Sequence, residues 1–138
     1  MTPVRAYIAL GSNLGARERH LALGRTELAA LPGTTWCAAS SIEETEPLAG
    51  LVQPRYLNQM VALDTELTPR QLLAACQRIE RLAGRERRLR WESRTLDLDI
   101  VRYGALELAD ADLELPHPGL GEREFWQREL AELARVGC

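Results

Sequence analysis

Two aspartates separated by a single residue are the most informative chemical feature of this chain. Asp97 and Asp99 lie in the segment RTLDLDI, residues 94–100. In a strand, alternate side chains share a face, so both carboxylates point one way while Leu98 and Ile100 point into the core. Neighbouring carboxylates stay ionised most readily beside cations, and Mg²⁺ binds carboxylate, phosphate and water oxygens. The pair therefore indicates a magnesium site for a phosphorylated ligand. A strand face with two solvated aspartates is the alternative.

Arginine is concentrated immediately before the aspartate pair. All 17 basic residues of the chain are arginines, and seven of them lie between Arg78 and Arg94, against three glutamates. The run passes Gly84, a predicted helix stop, and enters a segment with little apolar periodicity. Guanidinium groups match the geometry of phosphate. We therefore predict a mobile loop over about residues 84–94 that binds an anion, and favour it over a solvated helix face.

Length and composition restrict the class of protein. The chain has 138 residues and an ordinary hydrophobic fraction of 46%, so residues 1–138 are predicted to form one domain. No stretch approaches the roughly 20 apolar residues of a membrane helix, and the N-terminus lacks the pattern of a secretory signal. The net charge of −3 disfavours a general nucleic-acid binder. We expect a cytoplasmic monomer that binds neither membrane nor nucleic acid.

The three cysteines, Cys37, Cys76 and Cys138, show no spacing typical of a metal site. Their number is odd, and disulfides are rare in reducing compartments. We expect all three to be buried or terminal free thiols.

The elements that position these residues follow from periodicity and helix signals. Thr68 can cap a helix that starts at Pro69, with Gln71 completing a capping box and Gly84 ending the helix. A partner for the last strand is expected across a turn at Gly104. The predicted elements are strands 5–10, 35–43, 56–65 and 96–101, a short strand over 103–108, helices 16–31, 69–83 and 122–135, and a loop over 46–55.

The order of these elements predicts the fold class. Strands and helices follow one another as β-α-β-β-α-β, and a C-terminal helix is added. This order is typical of an α+β sandwich of the ferredoxin-like type, with a mostly antiparallel sheet and helices packed on it. Because this architecture supports many activities, the function has to be argued from the site residues.

Seven motifs, in the same order along the chain, resemble those of the hydroxymethyldihydropterin pyrophosphokinase family. The resemblance implies transfer of pyrophosphate from ATP to 6-hydroxymethyl-7,8-dihydropterin in folate biosynthesis, with AMP as the second product. It also implies that Asp97 and Asp99 hold two Mg²⁺ ions that bridge the ATP phosphates and the acceptor hydroxyl. The motifs are YIALGSNLG (7–15), ETEP (44–47), YLNQ (56–59), QRIER (77–81), GRER (84–87), RTLDLDI (94–100) and PHP (116–118) with Arg123 and Phe125 downstream.

The resemblance also implies a nucleotide site. Arg85 and Arg94 are expected to be catalytic together with the aspartate pair, and Arg87 is expected to contact phosphate. Trp91 either covers the ligands or anchors the strand in the core, and both readings stay open. The residues expected at ATP are Gln77, Glu80, Arg85, Arg87, Trp91, Arg94, Ile100, His117 and Arg123.

A pterin site follows from the same resemblance. A pterin is flat, aromatic and edged with hydrogen-bonding groups, so it needs stacking rings and an amide. Tyr56 and Asn58 share a strand face by their spacing, and Phe125 is the only phenylalanine of the chain. The residues expected at the pterin are Thr45, Pro47, Leu48, Tyr56, Asn58, Trp91, Asp97 and Phe125. The chain departs from the family pattern at Glu46, Ser93 and Asp112.

Two other functions remain to be tested. A ferredoxin-like RNA-binding module would use Tyr56 and the arginine-rich loop, but it requires paired aromatic residues and a basic surface. A Mg²⁺-dependent nucleotidyltransferase would use the aspartate pair to transfer AMP and release pyrophosphate. The GSNLG segment lacks the pattern of a P-loop, and we expect a tight turn there, with Asn13 supporting the pocket.

Overall fold

A computed structural model of the chain describes residues 2–47, 52–84 and 95–138. The predicted α+β class with a mostly antiparallel sheet is confirmed, and the fold is of the ferredoxin-like type. Within these ranges no helix is both long and apolar enough to cross a membrane. The elements are β1 (Val4–Ser12), α1 (Arg17–Ala29), β2 (Thr34–Ala39), β3 (Glu43–Thr45), β4 (Tyr56–Thr65), α2 (Pro69–Leu82), β5 (Asp97–Tyr103), β6 (Leu108–Ala109), β7 (Glu114–Leu115) and α3 (Glu124–Arg135).

The main sheet has the strand order β2-β4-β1-β5, and its strands pair antiparallel. β4 is long enough to pair with two strands along one edge: β2 pairs with its second half and β3 with its first. The sequence predicted one strand over 35–43 in place of β2 and β3. The strand is interrupted at Ser40, whose N–H donates to the Met60 carbonyl at 2.8 Å while its Oγ accepts from the Met60 N–H at 2.9 Å.

Each face of the sheet packs on its own helices. Side chains alternate between the two faces along each strand, so a separate buried cluster lies on each face of the sheet. Helices α1 and α2 cover the face that carries Leu10, Leu63 and Leu98. Helix α3 covers the opposite face, where Trp126 and Leu133 pack against the smaller residues Ala9, Met60, Ala62 and Val101.

The predicted cap of α2 is confirmed in both of its hydrogen bonds. The Thr68 hydroxyl accepts from the Gln71 N–H at 3.2 Å, and the Gln71 side chain accepts from the Thr68 N–H at 2.9 Å. Leu72, Cys76 and Ile79 lie on one face of α2 and are at most 1% exposed, so this face packs in the core. Burial, with a contribution from nearby carboxylates, raises the pKa of the Cys76 thiol far above its usual range. This thiol is free and unreactive at neutral pH.

The expected partner of β5 over residues 103–108 is wrong. Tyr103 is the last residue of β5, and the chain turns at Gly104, which has a positive φ of 55°. Leu108–Ala109 and Glu114–Leu115 then pair with each other as a separate two-stranded hairpin. Two pairs of residues form this hairpin, so its apolar alternation is too short to distinguish it from a strand that continues the main sheet.

The expectation that all cysteines are free is also wrong. Cys37 and Cys138 form a disulfide with a Cα–Cα distance of 6.4 Å, although 101 positions separate them. Cys37 lies where the pairing of β2 shifts between Trp36 and Ala38, a bulge that turns its side chain toward the face covered by α3. The end of α3 returns to this place, which spacing along the sequence does not reveal.

Reduction of this disulfide is expected to lower the free energy of unfolding by about 2–4 kcal/mol, because the bond closes a long loop in the unfolded chain. Thermal unfolding with and without dithiothreitol measures the effect. The Cys37→Ser variant is the matched control, and reductant should not change its midpoint further. A wild-type midpoint that does not respond to reductant would contradict a stabilising disulfide.

Candidate functional site

The predicted aspartate pair lies at the start of β5, on the face of the sheet that α3 covers. Asp97 pairs with Gly11 on the neighbouring strand β1, and Asp99 pairs with Ala9 on the same strand. Leu98 and Ile100 point to the opposite face and are at most 5% exposed in the core under α1 and α2. The predicted orientation of both carboxylates is therefore confirmed.

Gly11 connects the aspartate pair with the predicted pterin residues. On its other side Gly11 pairs with Asn58 of β4, so Asn58, Gly11 and Asp97 form one row across three strands. Adjacent strands lie about 4.8 Å apart, so the outer residues of this row are about 10 Å apart at their Cα atoms. A Cβ atom added to Gly11 would lie 3.4 Å from Asn58 Oδ1 and 3.5 Å from Tyr56 Cδ1. The missing side chain leaves a flat floor between the amide and the carboxylate.

The amide of Asn58 is oriented by its neighbour on β3. Asn58 is 6% exposed, and its Nδ2 donates to Thr45 Oγ1 at 2.5 Å. This bond leaves the amide oxygen near the floor at Gly11. Three predicted pterin residues, Thr45, Tyr56 and Asn58, are thereby brought together. Pro47, half-buried, follows β3, whereas Leu48 lies outside the described residues.

Glu80 forms a hydrogen bond with the backbone of the strand that carries the aspartates. The Glu80 carboxylate on α2 is 8% exposed and accepts a hydrogen bond from the N–H of Leu98 at 2.8 Å. Leu98 is the residue between the two aspartates. Charge-assisted hydrogen bonds of this kind are among the stronger ones in proteins. Glu80 therefore fixes the position of the aspartate pair, in addition to the nucleotide contact expected from its place on α2.

A bulge in β5 brings His117 to the aspartates. The pairing of β5 with β1 shifts at Val101, which has no partner residue on β1. The Val101 carbonyl accepts a hydrogen bond from the His117 N–H at 2.9 Å. The imidazole Nδ1 accepts from the Gly119 N–H at 2.9 Å, so the proton of a neutral ring is on Nε2. That Nε2 lies 3.7 Å from Asp99 Oδ1. His117 therefore presents a donor beside the carboxylates, and its expected contact with ATP stays a prediction.

Trp126 supports two predicted nucleotide residues and was missed in the sequence. It is 3% exposed, and its ring meets the His117 ring edge-on with centroids 4.9 Å apart. The Arg123 guanidinium lies 4.3 Å from the centre of the same ring, a cation–π contact. The signal that could have shown this is the helical spacing of three residues between Arg123 and Trp126.

Phe125 lies in the first turn of the same helix. Its ring centroid is 6.2 Å from that of Trp126. The other end of α3 lies near the start of β1, because the Cys138 carbonyl accepts hydrogen bonds from Arg5 and Tyr7. The first turn of α3, with Phe125, therefore lies toward the end of β1 that contains Gly11.

The remaining predicted residues are placed less directly. Ile100 is 4% exposed on the face opposite the aspartates, so a nucleotide would meet its backbone and not its side chain. Gln77 lies one turn before Glu80 on α2 and is half-buried. The four residues Arg85, Arg87, Trp91 and Arg94 lie outside the described residues, and their roles stay predictions.

Two of the three residues that depart from the family pattern form ion pairs. Glu46 contacts Arg55 Nε at 2.8 Å on the surface. Asp112 contacts Arg70 Nη1 at 2.7 Å, which joins the β6–β7 hairpin to the start of α2. The hydrogen bond from Arg70 lowers the pKa of Asp112. The third departure, Ser93, lies outside the described residues. Asn13, which the sequence placed in a supporting role, donates to the Pro54 carbonyl at 3.1 Å.

The aspartate pair fits Mg²⁺ by donor type and by placement. Both carboxylates share a face, and the Asp99 side chain is 32% exposed, so a ligand can reach it. Across the described ranges, no group of three or more His, Cys, Asp or Glu side chains could hold a metal ion. Two carboxylates supply part of the oxygen shell that Mg²⁺ prefers, and phosphate oxygens and water commonly supply the rest.

Replacing Glu80 with Ala is expected to lower the free energy of unfolding of the ligand-free protein by about 1–3 kcal/mol, because the Leu98 N–H loses its acceptor. Glu80→Gln retains a carbonyl acceptor and should lose less than about half as much. Urea denaturation measures both, with Gln77→Ala on the same helix as control. A Glu80→Ala variant as stable as the wild type would show that the contact does not hold β5.

Comparison with known proteins agrees with the resemblance seen in the motifs. The model of the 7,8-dihydro-6-hydroxymethylpterin-pyrophosphokinase family matches residues 7–135. The 2-amino-4-hydroxy-6-hydroxymethyldihydropteridine pyrophosphokinase of Methylorubrum extorquens is 43% identical over 130 residues, which are 94% of this chain and 82% of the relative. Proteins of the same name from Pseudomonas aeruginosa and Bacillus subtilis are 42% and 41% identical over 94% of this chain and over 80% and 78% of their own lengths. The chain therefore belongs to the 7,8-dihydro-6-hydroxymethylpterin-pyrophosphokinase family.

Proposed function

We propose that this protein transfers the pyrophosphoryl group of ATP to 6-hydroxymethyl-7,8-dihydropterin, with AMP as the second product, and so acts in folate biosynthesis. The observation that carries the proposal is the row of Asn58, Gly11 and Asp97 across the sheet. It places a hydrogen-bonding amide, a flat floor and the first of two carboxylates side by side. A bicyclic ring on this floor would direct its hydroxymethyl group toward the aspartates.

The residues around the floor have complementary roles in holding the pterin. Asn58 pairs with the hydrogen-bonding edge of the ring, and Thr45 keeps the amide in that orientation. Tyr56 and Phe125 supply the stacking surfaces, since both lie toward the Gly11 end of the sheet. The family resemblance adds Pro47, Leu48 and Trp91 to this pocket.

The aspartate pair and His117 face the phosphate groups. We propose that Asp97 and Asp99 hold two Mg²⁺ ions, which when bound would neutralise phosphate charge and acidify the acceptor hydroxyl. The His117 Nε2–H donates to a phosphate oxygen, and Arg123 adds positive charge from its place on Trp126. By resemblance, Gln77, Glu80 and the backbone of Ile100 contact the nucleotide. The pyrophosphoryl group passes to the acceptor oxygen as the bond to the AMP oxygen breaks.

The arginines of the loop over 84–94 complete the proposed site. Arg85 and Arg94 would act as catalytic cations on the transferred group, with Arg87 on the phosphates. Preorganised charge of this kind supplies most of the rate in phosphoryl transfer, which needs little covalent chemistry from the protein. A cytoplasmic location, where ATP is available, and action as a monomer without nucleic acid also stay proposals.

Product analysis tests the reaction directly. With ATP, Mg²⁺ and 6-hydroxymethyl-7,8-dihydropterin, the expected products are AMP and the pterin diphosphate in equal amounts. Chromatography of the quenched reaction separates these from pyrophosphate. Free pyrophosphate with an adenylylated acceptor would instead identify a nucleotidyltransferase and contradict the proposal.

Asp97→Asn and Asp99→Asn are each expected to lower kcat at least about 1,000-fold, because each change removes a charged oxygen from the proposed metal site. Melting temperatures should stay near that of the wild type, since both side chains face the site. Asp110→Asn is the matched control, because its ion pair with Arg70 is exposed and contributes little. Near-normal kcat in either site variant would refute the metal assignment.

Gly11→Ala is expected to raise the KM for the pterin about 10-fold or more, while the KM for ATP changes less than about twofold. The added methyl group would occupy the floor, and its nearest contacts are at ordinary distances, so the fold should tolerate it. Gly121→Ala is the control, since a Cβ there has no heavy atom within 4 Å among the described residues. Equal effects on both KM values would argue against a pterin at this floor.

A further inference from the structure

A buried pair of carboxyl groups lies between α3 and β3, beside the candidate site. Glu129 is 1% exposed, and among the described residues no N–H or hydroxyl group donates to either of its carboxyl oxygens. Oε2 of Glu43 is buried in the same way, while its Oε1 accepts a hydrogen bond from Arg128 Nε at 3.0 Å. Ionisation of both carboxyl groups would be strongly destabilising here, because three of their four oxygens are buried without a donor. We call Glu43 and Glu129 the carboxyl pair.

One proton between the two groups removes this conflict. A protonated carboxyl group gains a hydroxyl donor, and two close carboxyls do not both ionise readily. Burial, followed by the hydrogen bond and the charge of Glu43, raises the pKa of Glu129 to about 9. For Glu43, burial opposes ionisation, but the hydrogen bond with Glu129 and the contact with Arg128 outweigh it, and its pKa is lowered. Two further charged groups act on Glu129: Arg128 lowers its pKa, and Glu132 raises it.

The carboxyl pair belongs to a series of contacts between α3 and the segment that runs into β3. Glu132 accepts hydrogen bonds from the N–H and the hydroxyl of Ser41, both at 2.8 Å. The carboxyl pair follows, one turn closer to the start of α3 and two residues further along the segment. The next positions in the same direction are Phe125 on the helix and Thr45 on the strand. The pair is therefore the last contact before the proposed pterin residues.

We propose that Glu43 and Glu129 share one proton, and that this bridge positions Phe125 of α3 relative to Thr45 of β3 for pterin binding. The inference rests on the proposed function for the identity of the ligand. The carboxyl pair touches no reacting atom, so both members are positioning residues. Loss of the proton leaves two negative charges facing each other in a buried place, and α3 then separates from β3.

The sign of the pH dependence follows from the proton count. Between the ordinary pKa of a glutamate and the raised pKa of Glu129, the folded protein holds one proton more than the unfolded chain. The free energy of unfolding therefore falls as pH rises through this range. Glu129→Gln removes the titrating group and with it this dependence. Glu43→Gln gives Glu129 a permanent N–H donor and lowers its pKa, so the dependence becomes smaller.

The experiment compares the wild type with Glu129→Gln and Glu43→Gln, and uses Glu107→Gln, at an exposed glutamate, as control. Melting temperatures are measured without ligand at pH 6.5 and 9.5. The wild type and the control are expected to lose about 5–10 °C more than Glu129→Gln, and the loss of Glu43→Gln is expected to lie between these values. Equal losses in all four proteins would overturn the shared proton.

The second readout is the dissociation constant of 6-hydroxymethylpterin in the presence of Mg²⁺ and a non-hydrolysable ATP analogue. At half a unit above its pKa about three quarters of Glu129 is ionised, so wild-type affinity should fall about fourfold between pH 7 and 9.5 relative to Glu129→Gln. The ratio of the two dissociation constants at each pH cancels any effect of the ligand's own protonation. A constant ratio, with melting temperatures that do separate, would overturn the positioning role. Failure of the wild type to bind pterin at any pH would refute the proposed function and with it this role, while the melting temperatures would still decide whether the proton is shared.

Discussion

The register of β1 between β4 and β5 is the constraint on which the site depends. A shift of one residue in either pairing would move every side chain of the shifted strand to the other face. In the observed register Gly11 lies between Asn58 and Asp97, so the residues proposed to recognise a flat ring stand beside those proposed to bind metal and phosphate. Both groups are held on strands of one sheet, which provides the rigid positioning that phosphoryl transfer requires.

The side chains around this row are secured by partners on neighbouring elements. Glu80 on α2 holds the backbone between the aspartates, and Trp126 on α3 supports His117 from its other side. The bulge at Val101 supplies the carbonyl that anchors the histidine segment. Two of these contacts use backbone groups of β5, the Leu98 N–H and the Val101 carbonyl, and the second lies at the bulge of the strand.

Periodicity was sufficient for the parts of the fold that rest on local signals. The cap at Thr68, the alternation around Asp97 and the length of β4 all follow from patterns within about ten residues, and the structure confirms them. The break at Ser40 and the disulfide of Cys37 were not predictable in this way. They depend on hydrogen bonds to a distant strand and on the return of α3 to the sheet.

Motifs predicted the candidate site residues, and the structure places those that it describes, but the sequence does not show how they are arranged. Gly11 was visible only as part of a turn motif, and its role as a floor needs the cross-strand register. The most direct measurement is a crystal structure with Mg²⁺, a non-hydrolysable ATP analogue and 6-hydroxymethylpterin. The ring is expected above Gly11, with its edge on Asn58 and metal on Asp97 and Asp99. A ring bound elsewhere, or carboxylates without metal beside a bound nucleotide, would contradict it.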